Sequence, residues 1–208
     1  MKAMRLFVAI ELPEDIRAAL ASLGGGVPGA RWVPEENMHL TLRFLGEVDG
    51  STGDDIAESL SEVRGDPFEL RCEGIGHFET ARQPRTIWAG VAAGPELREL
   101  QGRVEKAVQR AGLPAETRKF MPHVTLARLK AAPADRVQSF IAHHNLFRSR
   151  AFEVNGFTLF SSFLSKSNPI YRAEAEFDIR GNGGGTSDEE SEVYDPWSSQ
   201  ESGADERS

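Results

Sequence analysis

The sequence contains one cysteine, Cys72, among 208 residues. A single cysteine excludes an internal disulfide framework and any metal site built from several cysteines. In "FELRC" the alternation of a strand would place Cys72 on the same side as Phe68 and Leu70. We therefore expect Cys72 to be a small buried side chain and not a nucleophile.

Long apolar runs are also missing, since no run approaches the ~20 residues of a membrane-spanning helix. The apolar start "RLFVAIEL" is typical of a strand, and acidic residues follow it where an export signal would have its small-residue cleavage site. These features predict a cytoplasmic protein with no membrane partner.

The negative charge is concentrated at one end of the chain. The formal net charge is −8, and residues 181–208 contain eight acidic residues and one basic residue. This segment has too few apolar residues to offset the entropy of ordering it. The sequence therefore predicts a folded, nearly neutral domain over residues 1–180 and a disordered acidic tail over residues 181–208.

Motifs for metals and nucleotide cofactors are absent as well. The sequence has no H-E-x-x-H motif, no Walker-type loop and no cluster of carboxylates. His77 lacks a partner at metal-ligand spacing, and His143 and His144 are adjacent, which on a helix points them about 100° apart. We expect no metal and no cofactor.

One short phrase occurs twice in the sequence. "MHLTLRF" occupies residues 38–44 and "PHVTLAR" occupies residues 122–128, so two H-x-T-L motifs lie 84 residues apart. Predicted strands and helices alternate in two halves, and each half contains one copy in a strand. Helices are predicted after Pro13, after Ser51 or Thr52, from Pro95 to Gly112 and from Pro133.

Strand alternation predicts which side chains of the two copies lie together. His39, Thr41 and Arg43 would share one face and Leu40, Leu42 and Phe44 the other, while His123 and Thr125 share a face of the second strand. Strict alternation turns Arg128 away from His123, so Arg128 joins the site only if the strand bends, bulges or ends there. If the halves pack about a pseudo-twofold axis, the two histidine–threonine pairs face each other.

Two opposed histidines are suited to in-line displacement at phosphorus. One neutral imidazole removes a proton from the nucleophile while one imidazolium protonates the departing alkoxide. Threonine hydroxyls can hydrogen-bond the non-bridging oxygens. Residues 117–134 contain four basic side chains and no acid, and Arg31 and Arg43 flank the first copy, which predicts a local environment for a phosphate.

At these residues the sequence resembles the two-histidine (2H) phosphoesterases, and within them the RNA 2′,3′-cyclic phosphodiesterases, also called 2′-5′ RNA ligases. The resemblance covers about residues 4–179. It includes, in this order, "MRLFVAIELP", "RWVPEENMHLTLRFLGEV", "RTIWAGV", "KFMPHVTLARLK" and "LFSSFLSKSNPIYRAEAEF".

The resemblance implies a bilobal α+β fold, with an antiparallel sheet in each pseudo-symmetric lobe and the active-site groove between them. It implies metal-free hydrolysis of RNA 2′,3′-cyclic phosphate ends to 2′-phosphates, together with ATP-independent 2′-5′ joining. His39, Thr41, His123 and Thr125 match the family's catalytic histidine–threonine pairs. Arg128, one of the basic residues around the second copy, is expected to bind substrate if it reaches the groove. The implied partner is an RNA 3′ end that bears a 2′,3′-cyclic phosphate, with tRNA-derived ends among the candidates. We also expect the protein to be a monomer.

Two other functions remain open from the sequence. A non-catalytic module could use the groove only to hold an RNA end or a cyclic phosphate. A metal-dependent phosphoesterase could use His39 and His123 as ligands, although the carboxylates that such a site needs are not found.

Overall fold

The computed structural model describes residues 4–163 and 169–180. The predicted acidic tail, 181–208, lies outside the described residues. Within them there are ten strands: β1 (Met4–Glu11), β2 (Ala30–Trp32), β3 (His39–Val48), β4 (Phe68–Leu70), β5 (Cys72–Thr80), β6 (Gln83–Val91), β7 (His123–Leu129), β8 (Phe152–Val154), β9 (Gly156–Phe163) and β10 (Ile170–Asp178). The helices are α1 (Glu14–Ala21), α2 (Gly50–Ser61), α3 (Pro95–Arg110) and α4 (Ala134–His144), with a 3-10 turn at Glu35–Asn37.

The strands form two antiparallel groups that meet in the middle of one larger sheet. The strand order is β10-β9-β1-β3-β7-β6-β5, and β2 adds to β7. One lobe contains β10, β9, β1 and β3, and the other contains β7, β6 and β5, so each lobe combines strands from both halves of the chain. The two lobes are joined where Leu40 of β3 pairs with Val124 of β7. This arrangement confirms the predicted bilobal α+β fold and adds that the two lobe sheets touch along β3 and β7.

The helices cover apolar side chains of the strands in one continuous core. In α3, Leu97, Leu100, Val104 and Val108 recur at helical spacing and are buried. Pro95 begins this helix, and Gly112, with φ of 95°, follows its end in a conformation that favours glycine. Leu40 and Val124 are fully buried in the same core, beneath the phrase that carries the histidines.

Most predicted elements are present, with three local differences. Helix α2 starts at Gly50, before the predicted Ser51 or Thr52, because the Asp49 carboxylate caps it and accepts a hydrogen bond from the Thr52 N–H at 2.9 Å. The strand alternation expected for "FELRC" is interrupted at Arg71, because β4 leaves to pair with β8 in a separate two-stranded sheet. Strand β2 was not predicted.

Cys72 is buried as expected, and burial raises the pKa of its thiol to about 11. Among the described helices, none has the length and apolar character needed to cross a membrane.

Candidate active site

The two H-x-T-L phrases lie side by side on β3 and β7 and open onto one cavity. His39 and Thr41 enter it from β3, and His123 and Thr125 enter it from β7. The cavity has a volume of about 250 Å³. Leu40 pairs with Val124, and these two residues hold the same place in their phrases. The histidine therefore lies one residue before the pair, and the threonine one residue after it, in both strands. The structure therefore brings together the four residues that the doubled phrase singled out.

Arg128 also lines this cavity, because β7 bulges just before it. Thr125 pairs with Trp88 of β6 while Ala127 pairs with the adjacent Ile87, so one extra residue is inserted in β7. Leu126 and Ala127 are consequently both buried, and Arg128 returns to the side of His123. This is the bulge that Arg128 was expected to need in order to reach the groove.

The same bulge occurs in β3 and overturns one predicted face. Thr41 pairs with Ala9 and Arg43 with the adjacent Val8, so Leu42 and Arg43 are both buried. The prediction that Arg43 shares a face with His39 and Thr41 was wrong, as was the placement of Phe44 on the apolar side. Phe44 instead lines the cavity and is 53% exposed, at the position that Arg128 occupies in the second half.

The cationic side chains are fewer at the cavity than the sequence suggested. Arg43 is bound elsewhere, with its Nε 2.7 Å from Glu105 and its Nη1 3.2 Å from Glu116. Arg118 is 2.8 Å from Glu116, an acid just outside the stretch 117–134. Arg128 and Arg31 are the arginines that line the cavity, and they pair across β7 and β2. The local positive charge therefore comes from these two side chains.

Both histidine rings are held by the same type of hydrogen bond. His39 Nδ1 lies 2.8 Å from the carbonyl oxygen of Asn37, and His123 Nδ1 lies 2.7 Å from the carbonyl oxygen of Met121. A carbonyl only accepts, so each Nδ1 carries the proton and donates it. The other nitrogen of each ring, Nε2, is then left for a ligand in the cavity. Equivalent residues of the two phrases thus fix the same tautomer twice.

Aromatic side chains hold the planes of the two rings. The His39 ring lies 4.8 Å from Phe7 and 5.3 Å from Tyr171, which presents an edge-to-face contact at 81°. The His123 ring lies 4.8 Å from Phe78 in an edge-to-face contact at 87°. These contacts restrict ring rotation and exclude water from one side of each ring.

Burial makes both imidazoles easier to deprotonate than a free histidine. It lowers the pKa of His39 to about 4, and the positive charges of Arg128 and His123 act in the same direction. Burial also lowers the pKa of His123, partly offset by the hydrogen bond to Met121. At neutral pH both rings are therefore neutral in the protein alone.

Several residues of the cavity were not identified from the sequence. Asn37 supplies the carbonyl for His39, and its side-chain amide donates to the carbonyl of Pro169 at 2.9 Å, which ties β3 to the start of β10. Tyr171 and Phe78 are far from the phrases in sequence, and an isolated aromatic residue carries no signal of its own. Trp32 packs on the core and also borders the cavity.

The remaining histidines lie away from this cavity, as expected. Across residues 4–163 and 169–180, no three His, Cys, Asp or Glu side chains come together in a way that could hold a metal ion. Within the described part of the chain, the polar side chains that line the cavity are two imidazoles, four hydroxyls, one amide and two guanidinium groups, and no carboxylate is among them. A divalent metal ion would lack its preferred anionic ligands there and would be repelled by the two arginines.

Two similar halves of α+β structure, each presenting a histidine and a threonine to one groove, are the arrangement of the two-histidine phosphoesterases. A family model described as "LigT like Phosphoesterase" matches this chain twice, over residues 10–88 and 91–171, with one H-x-T-L phrase in each match. The chain belongs to the LigT-like phosphoesterase family.

Similar proteins agree with this family. The chain is 36% identical over 184 residues to an RNA 2′,3′-cyclic phosphodiesterase of Thermotoga maritima, covering 86% of this chain and 97% of that protein. It is 35% identical over 162 residues to one of Aeropyrum pernix, covering 76% and 90%.

Solved structures show the same fold. The protein TT0787 of Thermus thermophilus aligns with a TM-score of 0.70 at 31% identity, covering 86% of this chain and 99% of that one. Escherichia coli LigT complexed with 3′-AMP aligns with a TM-score of 0.70 at 26% identity and the same coverage.

Proposed function

We propose that this phosphoesterase hydrolyses RNA 2′,3′-cyclic phosphate ends to 2′-phosphomonoesters, without a metal ion, through His39 and His123. One observation carries the proposal: two neutral imidazoles line the same cavity, each with Nδ1 bound to a backbone carbonyl and Nε2 left free for a ligand. In-line displacement at phosphorus needs a base on one side and an acid on the other, and this pair supplies both groups. Relatives from Thermotoga maritima and Aeropyrum pernix are named RNA 2′,3′-cyclic phosphodiesterases, which supports the substrate and the reaction type.

The proposed reaction proceeds in one displacement. A water oxygen attacks phosphorus and its proton passes to Nε2 of one histidine. The bond between phosphorus and the 3′ oxygen breaks, and the other histidine delivers its proton to that oxygen. The product carries a 2′-phosphomonoester and a free 3′ hydroxyl. When the 5′ hydroxyl of another RNA replaces water, the same steps form a 2′-5′ bond without ATP.

Thr41, Thr125 and Arg128 are proposed to bind the phosphate. The threonine hydroxyls project beside the histidines from the same faces of β3 and β7, and the Arg128 guanidinium reaches the cavity through the bulge. Charge accumulates on the non-bridging oxygens during displacement, so donors aimed at them stabilise the transition state more than the substrate.

The resemblance assigns His39 as the acid for the 3′ oxygen and His123 as the base for water. The pKa of about 4 for His39 means that it holds a proton at neutral pH only if the substrate phosphate raises that pKa. The reverse assignment uses His39 as the base, and the stronger burial of its ring favours that role in the protein alone. A substrate with a good leaving group at phosphorus distinguishes the two assignments, because it should restore activity only to the variant that lacks the acid.

The test is incubation of the protein with a short RNA that ends in a 2′,3′-cyclic phosphate, in EDTA, with the product end identified. Turnover to a 2′-phosphate supports the proposal. A 3′-phosphate product, or activity that needs a divalent ion, contradicts it. The rival, a module that only binds RNA ends, predicts tight binding of product and no turnover.

Three further points stay predictions: that the RNA ends derive from tRNA, that the protein is a monomer and that it is cytoplasmic. Sedimentation of the purified protein tests the monomer directly.

A further inference from the structure

A second cavity continues from the candidate active site on the other side of Phe44 and Phe78. It has a volume of about 270 Å³. Four side chains line both cavities: Thr41, Phe44, Phe78 and His123. The second cavity therefore begins at the reacting groups themselves, and a chain bound in the first can continue into it.

The second cavity is open to solvent, and apolar side chains form a large part of its wall beside polar ones such as Gln101 and Glu116. Phe44 and Met121 are 53% and 51% exposed, although large apolar side chains are mostly buried in this protein. Phe120 adds a third apolar side chain to the wall and packs on the core behind it. Exposed aromatic faces beside a polar reaction site are suited to a flat, partly apolar group such as a nucleobase.

Two basic side chains and one carboxylate, that of Glu116, line the outer part of the cavity. Arg118 and Lys119 both lie there. Arg118 is engaged by Glu116 through its Nε at 3.1 Å and its Nη2 at 2.8 Å. Lys119 is exposed and forms no ion pair with any acidic side chain of the described residues. Its ammonium group is available for an anion.

We infer that this second cavity binds a second nucleotide of the RNA strand, next to the one that carries the cyclic phosphate. Its base contacts Phe44 and Phe120, and its phosphate lies near Lys119. Stacking on aromatic faces together with a cation along the backbone is how proteins bind single-stranded RNA without reading its sequence. The inference rests on the proposed function and adds a subsite, built by Phe44, Lys119 and Phe120, for the nucleotide next to the RNA end.

The first experiment compares two substrates with the same terminal nucleoside, a 2′,3′-cyclic mononucleotide and a dinucleotide that ends in a 2′,3′-cyclic phosphate. We expect kcat/KM to be roughly 10-fold higher or more for the dinucleotide, chiefly through KM, because one added base stacks. Equal values of kcat/KM overturn the second subsite and leave the proposed function standing. No turnover of either substrate overturns both.

Two variants outside the reacting groups locate the effect. Lys119→Gln and Phe120→Leu should each lower kcat/KM for the dinucleotide several-fold and leave that for the mononucleotide unchanged. Lys130→Gln removes an exposed cation of the same stretch that lines neither cavity, so it serves as the matched control. Equal losses on both substrates, or a loss in the control as large as in Lys119→Gln, contradict the inference.

A salt titration gives a readout independent of folding. The slope of log(1/KM) for the dinucleotide against log salt should be less steep by about 0.7 in Lys119→Gln, the contribution of one phosphate contact to single-stranded RNA. Thermal unfolding of Phe120→Leu checks that its core contacts persist. An unchanged slope contradicts the placement of the phosphate beside Lys119.

Discussion

Leu40 and Val124 pair with each other across the boundary between the two halves, and each directly follows the histidine of its H-x-T-L phrase. Both are fully buried. Since neighbouring residues of a strand point to opposite sides, burying this pair turns both histidines and both threonines into the groove. The contact that joins the two halves is thus also the contact that positions the candidate site.

Leu40→Ala should lower the free energy of unfolding by about 2–5 kcal/mol, since it leaves a cavity where the two halves meet. Chemical denaturation measures this loss. Leu146→Ala is the matched control, because Leu146 is 90% exposed and its truncation should change stability by less than about 0.5 kcal/mol. Equal effects of the two substitutions would show that Leu40 does not support the junction.

His39→Ala and His123→Ala should each lower kcat about 10²–10⁴-fold, the span expected for a positioned acid or base. The double variant should lose much less than the product of the two losses, because the histidines act as a unit. Steady-state kinetics on a cyclic-phosphate RNA gives all three values. Fully multiplicative losses would mean that the two rings act in separate steps.

Thr41→Val and Thr125→Val should each lower kcat/KM by less than the histidine variants do, since the hydroxyl is lost while the shape is nearly kept. Thr41→Ser and Thr125→Ser restore a hydroxyl and provide the matched controls. If Ser and Val variants are equally impaired, the role of these positions is packing and not hydrogen bonding to phosphate.

Arg128→Gln should raise KM roughly 10-fold or more, because it removes a charge-assisted contact to the phosphate. Lys130 directly follows the end of β7 and does not line the cavity, so Lys130→Gln should leave KM unchanged. An Arg128 variant with normal KM would place the phosphate away from the bulge.

Stability should fall as the pH is lowered from about 6.5 towards 4. The pKa of His39 is lowered from its ordinary value of 6.5 to about 4 in the folded protein, so the unfolded chain binds the extra proton in this range. The effect is at most about 3 kcal/mol, at 1.36 kcal/mol per pKa unit.

Urea denaturation at several pH values measures the slope of the free energy of unfolding against pH. His39→Gln should flatten it between pH 6.5 and 4, the range set by the lowered pKa of His39. Thr41→Val, which keeps both rings, should retain it. Identical slopes in the wild type and His39→Gln would show that His39 is not buried in its neutral form.

A substrate with a good leaving group at phosphorus separates the two histidine roles, because its departure no longer needs an acid. If His39 is the acid, this substrate rescues His39→Ala and not His123→Ala. Rescue of His123→Ala alone reverses the assignment.

The fold and the four residues of the two phrases could be predicted from the sequence, because the patterns that indicate them are local or repeated. Period-two alternation and helical spacing define the elements, and a phrase that recurs in matching strands indicates a shared site. Strict alternation failed at Arg43 and Phe44, since a bulge is set by pairing with β1 and leaves no mark in β3 itself. The prediction for Arg43 also failed because its partners, Glu105 and Glu116, lie far along the chain.

The aromatic contacts to the histidines could not be predicted either, because their partners also lie far apart along the chain. Phe7 and Tyr171 come from opposite ends of the domain and meet at His39 only after β1 and β10 are assembled around β9. The backbone carbonyls of Asn37 and Met121, which fix the tautomers, are present in any sequence. Their role depends on how the chain enters β3 and β7.

The pH dependence of kcat/KM on a cyclic-phosphate RNA in EDTA tests the paired-histidine mechanism most directly. The wild type should give a bell-shaped profile, because one imidazole must be neutral while the other is protonated. His39→Ala should lose one limb of the bell and His123→Ala the opposite limb, with low residual rates in both. A wild-type profile without two limbs, or single variants that each keep both limbs, would contradict acid–base catalysis by this pair.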